Sequence, residues 1–276
     1  MLPLINRVIK LIARKQKSLA RIVRAQLRAA KYHFIRGATV NTKKVNEQML
    51  ARLHPIYTRQ ETRIPKIIHY CWVGGKNKPE DIERYIESWK THLPDFEIIE
   101  WNESNFDLHL NMYSREAYDS KKWAFVSDVV RLYALYTYGG IYLDADVEIL
   151  KPIDGFLNHA AFTSFETPSI SGRDPFIPTG LMGSEKNGAW VKDLLDTYES
   201  RSFILPDGSF DLLPNPKPIT YLTADKYGLI RNDEFQDLGA VAVYPNYYFC
   251  AKDWLSGAVT ITPDTYAIHH FSGSWK

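Results

Sequence analysis

Apolar residues recur along the 276-residue chain in patterns that predict strands separated by helices. Continuous or alternating apolar runs indicate strands, whereas apolar residues three or four positions apart indicate one face of a helix. The predicted strands cover 65–73, 96–101 and 141–150, and the predicted helices begin at Pro79 or cover 114–138 and 187–200. This alternation predicts an α/β fold whose central sheet contains parallel strands and is flanked by helices.

A basic arm precedes the body that contains these elements. Residues 1–44 contain 12 Lys and Arg residues and no Asp or Glu, whereas the rest of the chain has a formal net charge of −10. Residues 3–36 have the apolar stripe and basic face of an amphipathic helix, which is suited to an anionic membrane surface. We therefore expect an arm and linker over 1–63, a folded domain over 64–276, and membrane contact through residues 1–36. Packing of the arm on the body or on a second subunit is the alternative, and no nucleic-acid partner is expected.

The bulk composition points to a reducing compartment. Two cysteines, Cys71 and Cys250, are too few for a disulfide framework. No apolar run reaches the ~18 residues that a transmembrane helix needs. Basic residues from Arg7 onwards interrupt the first apolar stretch, so we expect no secretory signal. The sequence thus predicts a cytoplasmic protein at the inner face of a membrane.

Two aspartates follow the short apolar strand predicted after Gly139-Gly140. Asp144 and Asp146 stand at the carboxyl end of that strand, where open α/β sheets bind ligands. Residues i and i+2 of a strand share a face, so both carboxylates can approach one ion. Hard oxygen ligands suit Mg²⁺ or Mn²⁺ that holds phosphate oxygens. The spacing therefore predicts a site for a divalent cation and a diphosphate.

A second pair of charged residues lies on the preceding helix. Asp128 and Arg131 are three residues apart and so share one helix face. An ordinary surface ion pair is one interpretation. The other is that both side chains reach the ligand pocket, where the carboxylate accepts from hydroxyls and the guanidinium donates to hydroxyls or phosphate.

Four motifs in this order resemble a known enzyme family. They are Ile64–Gly75 (IPKIIHYCWVGG), Ser127-Asp128-x-x-Arg131, Gly139–Asp146 (GGIYLDAD) and His269–Trp275 (HHFSGSW). Together they resemble the DXD-containing glycosyltransferase family 32, which includes capsular-polysaccharide and mannosyltransferase-like enzymes. More distantly they resemble the glucosyltransferase domain of large clostridial toxins. The resemblance covers residues 64–276.

This resemblance implies a GT-A fold and a metal-dependent transferase that retains anomeric configuration. The expected donor is a nucleotide-diphosphate sugar, with a UDP-sugar favoured over a GDP-sugar, and the expected cofactor is Mn²⁺ or Mg²⁺. The expected acceptor is a glycan or lipid-linked oligosaccharide in surface-polysaccharide (capsule) biosynthesis. Front-face attack by the acceptor hydroxyl, which needs no dedicated base, is the mechanism often assigned to such enzymes.

The resemblance also assigns roles to residues of the donor site. Trp72 is expected to stack on the nucleotide base, which an aromatic face can do. Asp128 and Arg131 are expected to hold hydroxyls of the donor sugar. Asp144 is expected to face ribose, sugar or metal-bound water and to contribute to the metal site, and Asp146 is expected to bind the metal directly.

The last motif is expected to close the site from the end of the chain. His270 is expected to complete the metal shell, because neutral imidazole is a competent ligand for Mn²⁺. His269 is the competing candidate. Ser274 and Trp275 are expected to donate hydrogen bonds to the diphosphate. Residues 178–180 are expected to line the sugar site.

Two other classes of protein compete with this interpretation. The run Leu143–Val147 also resembles the first motif of haloacid-dehalogenase-type phosphatases, in which the first Asp is a covalent nucleophile. That motif usually opens its domain, whereas here about 80 residues of the body precede it. A non-catalytic sugar-nucleotide-binding protein is the other alternative, although Asp144, Asp146 and Arg131 are all present.

Overall fold

The computed structural model describes residues 62–167 and 174–273. The expected membrane-binding helix over 3–36 and almost all of the 1–63 arm lie outside these residues, as do Ser274 and Trp275. The described residues all belong to one compact unit, Arg59–Lys276. None of the described helices is long and apolar enough to cross a membrane.

Five α-helices and nine strands make up the described part of the chain. The helices are α1 (Glu80–His92), α2 (Met112–Asp119), α3 (Trp123–Tyr138), α4 (Ala189–Asp196) and α5 (Pro216–Tyr227). The strands are β1 (Ile67–Cys71), β2 (Glu97–Trp101), β3 (Gly140–Leu143), β4 (Val147–Ile149), β5 (Ala161–Ser164), β6 (Leu181–Ser184), β7 (Gln236–Asp237), β8 (Ala242–Tyr244) and β9 (Ala267–His269).

Seven of these strands form one sheet in the order β2-β1-β3-β6-β5-β8-β7. β2, β1, β3, β5 and β8 run in one direction, and β6 and β7 run against them. The expected α/β class and mixed, mostly parallel sheet are therefore confirmed. The remaining strands, β4 and β9, pair antiparallel in a separate small sheet.

Two predicted elements are divided in the structure. The strand predicted over 141–150 is wrong as one piece, because β3 ends at Leu143 and β4 enters the small sheet. Asp144 to Asp146 thus lie in the turn between the sheets. The helix predicted over 114–138 is interrupted at Lys121, whose φ of 57° lies in the left-handed region. The predicted helix over 187–200 is shorter, as α4 ends at Asp196.

The Gly139-Gly140 turn brings β3 close to β1. Both glycines have positive φ values, 70° and 109°, that other residues adopt at a cost. A Cβ at Gly140 would lie 2.5 Å from the carbonyl oxygen of Ile67, so only glycine fits there without displacing the backbone at the start of β1. The turn therefore ends α3 and sets the position of the strand that leads to Asp144.

A buried histidine joins this turn to the sheet. His69 on β1 is fully buried, and its ring accepts from Trp101 Nε1 at Nδ1 (3.2 Å) and contacts the Gly139 carbonyl through Nε2 (2.8 Å). Because indole N–H only donates, Nδ1 must be the acceptor and Nε2 must carry the proton. Burial lowers the pKa of His69 to about 4, although the Gly139 carbonyl opposes the shift. The ring is therefore neutral at physiological pH.

His69 is expected to make the fold sensitive to mild acid. The folded pKa of about 4 lies below the ordinary value of 6.5, so the unfolded chain binds the extra proton first. The resulting stability is fully present above pH 6.5 and is lost as the pH falls towards 4, by about 3 kcal/mol. Denaturant titrations of the wild type and of His69→Gln across this range will measure it. If the free energy of unfolding of the wild type falls no more steeply with decreasing pH than that of His69→Gln, the assignment is wrong.

Candidate active site

A cavity of about 500 Å³ opens beside the carboxyl ends of β1 and β3. Seven of the residues named from the sequence as site candidates border it: Trp72, Asp128, Arg131, Asp144, Asp146, Thr179 and His269. They come from five separate segments of the chain: the loop after β1, helix α3, the turn after β3, the residues before β6, and β9. The fold thus brings the predicted donor-binding and metal-binding residues to one place.

Asp144, Asp146 and His269 form a compact group of possible metal ligands. One ligand atom from each lies within 4.8 Å of the others. His269 Nε2 is 3.2 Å from Asp146 Oδ1 and 3.7 Å from Asp144 Oδ2, so the ring nitrogen points at both carboxylates. Asp146 is held in place because its Oδ2 accepts from Ser272 N at 2.7 Å. Two carboxylates and one imidazole fit Mn²⁺ or another divalent cation.

The two carboxylates of this group favour a bound cation or, when no cation is bound, a proton on His269. Burial lowers the pKa of His269, but Asp146, Cys250 and Asp144 together raise that pKa well above its usual value. Burial raises the pKa of Asp146, and His269 together with the backbone N–H of Ser272 makes the net shift downward. A metal that binds here must therefore displace the imidazole proton, as is usual for histidine ligands.

His270, the expected metal ligand, lies elsewhere. Its Nε2 is 2.8 Å from Glu148 Oε2, and its ring stacks on Tyr85 with centroids 4.4 Å apart. Neighbouring residues of a strand point to opposite faces, and His269 is the last residue of β9, where it pairs with Val147. The strand direction therefore turns His269 towards the aspartates and His270 away from them. His269, the competing candidate, therefore lies beside the two aspartates where His270 was expected.

Arg131 is buried at the centre of the site and is bonded mainly to the protein. Nη2 lies 3.1 Å from Asp128 Oδ1, and Nη1 lies 3.3 Å from Asp144 Oδ1 and also donates to the Thr179 carbonyl. Among the described residues Nε has no hydrogen-bond partner. The guanidinium therefore ties α3 to the turn that carries the aspartates. Its Nη atoms position carboxylates, and its buried Nε is the one guanidinium nitrogen without a partner among the described residues.

Asp128 is the other buried charge on α3. Burial raises the pKa of its carboxyl to about 6, and the opposing effect of Arg131 is smaller. The ordinary surface ion pair is thus excluded for Asp128 and Arg131, because both side chains are nearly inaccessible to solvent. Asp128 instead presents a carboxylate to the cavity, where it can accept from ligand hydroxyls.

Trp72 forms part of the cavity wall after β1. Its Nε1 donates to the Lys76 carbonyl at 2.7 Å, which fixes the plane of the indole, and Lys78 Nζ lies 5.6 Å from the ring centroid. Other wall residues were not identified from the sequence, namely Trp123, Phe125, Leu212 and Asn215. Helical spacing could have revealed Trp123, which is eight residues before Arg131 and shares its helix face.

The Thr179-Gly180 segment supports three site residues from behind. The Thr179 carbonyl accepts from Arg131, and the Gly180 carbonyl accepts from Asp144 N at 2.8 Å. The ring of His269 packs directly on Gly180, where an added Cβ would lie 2.6 Å from Nδ1. The absence of a side chain at Gly180 therefore leaves the room that His269 needs to reach the aspartates.

Gly180→Ala is expected to weaken Mn²⁺ binding by about tenfold, because the methyl group displaces the His269 ring. Isothermal titration with Mn²⁺ will measure the affinity. Gly228→Ala is the control, since Gly228 has a positive φ of 77° but no atom within 4 Å of an added Cβ. Equal Mn²⁺ affinity for both variants would show that His269 does not depend on Gly180.

Comparisons with known proteins agree with this site. Residues 79–163, which include Asp144 and Asp146, match the profile of the glycosyltransferase sugar-binding region containing the DXD motif. Inositol phosphoceramide mannosyltransferase 3 of Schizosaccharomyces pombe is 33% identical over 128 residues, which are 42% of this chain and 33% of that protein. Mannosyltransferase 1 of the same group and organism is 29% identical over 119 residues, 39% of this chain and 36% of that protein.

Among solved structures, the PaToxG glycosyltransferase aligns with a TM-score of 0.49 and 19% identity, covering 67% of this chain and 78% of that one. The chain spans only about a third of the length of the two mannosyltransferases. The sequence matches thus show that the region around Asp144 and Asp146 is similar to DXD-type glycosyltransferases. The mixed α/β fold of the chain is the one that the resemblance to GT-A enzymes implies.

Proposed function

We propose that this domain transfers a hexose from a nucleotide-diphosphate sugar to a glycan or lipid-linked acceptor, with a divalent cation. The observation that carries the proposal is the convergence of Asp144, Asp146 and His269 with Asp128 and Trp72 on one cavity. A cation site, a sugar-binding carboxylate and an aromatic wall are the three parts that such a donor requires.

In this proposal Asp144, Asp146 and His269 hold Mn²⁺ or Mg²⁺. The cation supplies electrostatic stabilisation of the charge that grows on the leaving diphosphate. Asp128 accepts from hydroxyls of the donor sugar, and Arg131 holds Asp128 and Asp144 in position. Trp72 stacks on the base. The acceptor hydroxyl attacks from the leaving-group side with retention, which requires no separate protein base.

Sequence resemblance favours a UDP-sugar, and the names of the relatives add mannosyl donors to those to be tested. The same names support a lipid-linked acceptor. We propose that residues 1–36 hold the enzyme at the inner face of a membrane, where such an acceptor in surface-polysaccharide synthesis would be found. These residues include 10 Lys and Arg and no Asp or Glu, which supports this placement.

A nucleotide-sugar screen tests the function. The full chain is mixed with UDP- and GDP-sugars, including the mannosyl forms, with Mn²⁺ or with EDTA, and both the melting temperature and the release of nucleoside diphosphate are recorded. One class of donor is expected to stabilise the protein and to be hydrolysed slowly only with metal, because a ligand of the native state raises its stability. No stabilisation and no nucleotide release with any donor would reject the proposal.

A further inference from the structure

Exposed apolar residues concentrate in two short segments near the cavity. The described residues include 15 large apolar side chains that are exposed, and nine of them lie in 204–213 and 252–261. In the second segment Trp254 is 55% exposed, Leu255 62% and Ile261 63%. A group of exposed apolar side chains on a protein surface indicates a site of interaction.

The segment 252–261, here called the tryptophan turn, is built to present its tip. Lys252 pairs with Val259 in an antiparallel bridge, and Asp253 N donates to the Ala258 carbonyl at 2.8 Å. Asp253 Oδ1 accepts from Leu255 N at 3.0 Å and Ser256 N at 2.6 Å. These bonds satisfy the polar groups of the turn internally, so its apolar side chains protrude from a closed and ordered backbone.

The base of the tryptophan turn is attached to the segment that carries the metal cluster. Lys252 Nζ donates to the His270 carbonyl at 2.6 Å, and His270 follows the candidate metal ligand His269. The cavity itself has an apolar edge, because Leu212, 55% exposed, belongs to its wall. A surface that received the turn would therefore lie close to the reacting groups.

We propose that the tryptophan turn inserts Trp254 and Leu255 into the apolar layer of a lipid surface. This inference rests on the proposed transferase function, for which it supplies the physical form of the acceptor: a lipid that stays in its bilayer. Lys151 and Lys252 donate to the carbonyls of Pro263 and His270 beside the turn and place two positive charges below its apolar tip, while the carboxylate of Asp253 is bonded to backbone N–H groups within the turn. That order of charge matches anionic headgroups above acyl chains.

The shape of the tip favours a fluid apolar phase over a protein partner. Trp254 and Leu255 are adjacent residues of one short turn, so the apolar area that they expose is small for a stable protein interface. Tryptophan is also the side chain that prefers the boundary between headgroups and acyl chains. The basic arm is predicted separately, from the sequence, to bind anionic membranes.

Vesicle flotation of the full chain tests the inference with a matched pair of substitutions. Leu255→Ser and Ile230→Ser each remove one exposed apolar side chain, and Ile230 is 65% exposed and lies outside both segments. At roughly 0.5 M salt, which screens attraction by the basic arm, Leu255→Ser is expected to lower binding to vesicles of phosphatidylcholine and phosphatidylglycerol by about tenfold. Ile230→Ser is expected to leave it unchanged.

A second measurement locates the tip directly. Vesicles with brominated acyl chains are expected to quench tryptophan fluorescence of the wild type, and Trp254→Phe should still bind but lose the quenching. Equal vesicle binding by Leu255→Ser and Ile230→Ser, or quenching that persists in Trp254→Phe, would overturn the inference. Dissociation of an oligomer by Leu255→Ser with unchanged vesicle binding would also overturn it, in favour of a protein interface.

Nucleotide release measured without vesicles separates this inference from the proposed function. Leu255→Ser should hydrolyse the donor at the wild-type rate, because Leu255 lies outside the cavity wall. A wild-type chain that binds vesicles through the turn but hydrolyses no donor would reject the transferase function alone.

Discussion

Asp146→Asn is expected to lower metal-dependent turnover by about a thousandfold or more while the protein remains folded. The substitution removes the carboxylate that lies nearest to His269 and thereby removes one of two anionic ligands from the cluster. The amide oxygen can still accept from Ser272 N, so the local backbone is retained. A thousandfold loss corresponds to about 4 kcal/mol of transition-state stabilisation. Nucleotide release at saturating Mn²⁺ will measure the loss of turnover, and a thermal melt will show whether the variant is folded.

Two adjacent histidines provide a matched control for this metal site. His269→Gln removes the ring that faces Asp144 and Asp146 and should weaken Mn²⁺ binding by at least about tenfold. His270→Gln removes a ring that stacks on Tyr85 and contacts Glu148, so Mn²⁺ affinity should stay within about twofold of the wild type. Normal activity of Asp146→Asn, or a larger effect at His270 than at His269, would remove the structural basis of the site.

The contrast between these histidines shows how far sequence reasoning reaches. Asp144 and Asp146 could be predicted because the strand, the glycine turn and the pair of carboxylates are all local features of one segment. The choice between His269 and His270 could not be made in this way. It depends on the pairing of Val147 with His269 across 122 positions of the chain, which fixes the face that each ring occupies.

Arg131 shows the same limit in a different form. Its helical spacing from Asp128 correctly predicted that the two side chains share a face. The sequence did not reveal that the guanidinium is bonded to the Thr179 carbonyl, which lies 48 residues away and becomes its neighbour only through folding. A residue expected to grip the sugar is therefore mainly a residue that positions two carboxylates, because buried donors bond to whatever acceptors the fold supplies.

Arg131→Met is expected to lower the free energy of unfolding by about 3–5 kcal/mol and to abolish transferase activity. The guanidinium is the cation that lies between Asp128 and Asp144, and its removal leaves a buried carboxylate without compensation. Arg131→Lys should recover only part of the loss, because one ammonium cannot bridge the same three acceptors. Urea titration at pH 7.5 will measure the change.

Asp128→Asn is the control, because it is expected to raise the free energy of unfolding that Arg131→Met lowers. Its folded pKa of about 6 exceeds the ordinary value of 3.8, so the carboxylate destabilises the native state increasingly as the pH rises from 3.8 to 6 and fully at pH 7.5. The neutral isostere should therefore stabilise the protein by about 1–3 kcal/mol at pH 7.5 and by less at pH 5. Stabilisation with loss of donor turnover would show that Asp128 is ionised for binding at the expense of stability. Unchanged unfolding of Arg131→Met would instead mean that the three charged groups are not coupled in solution.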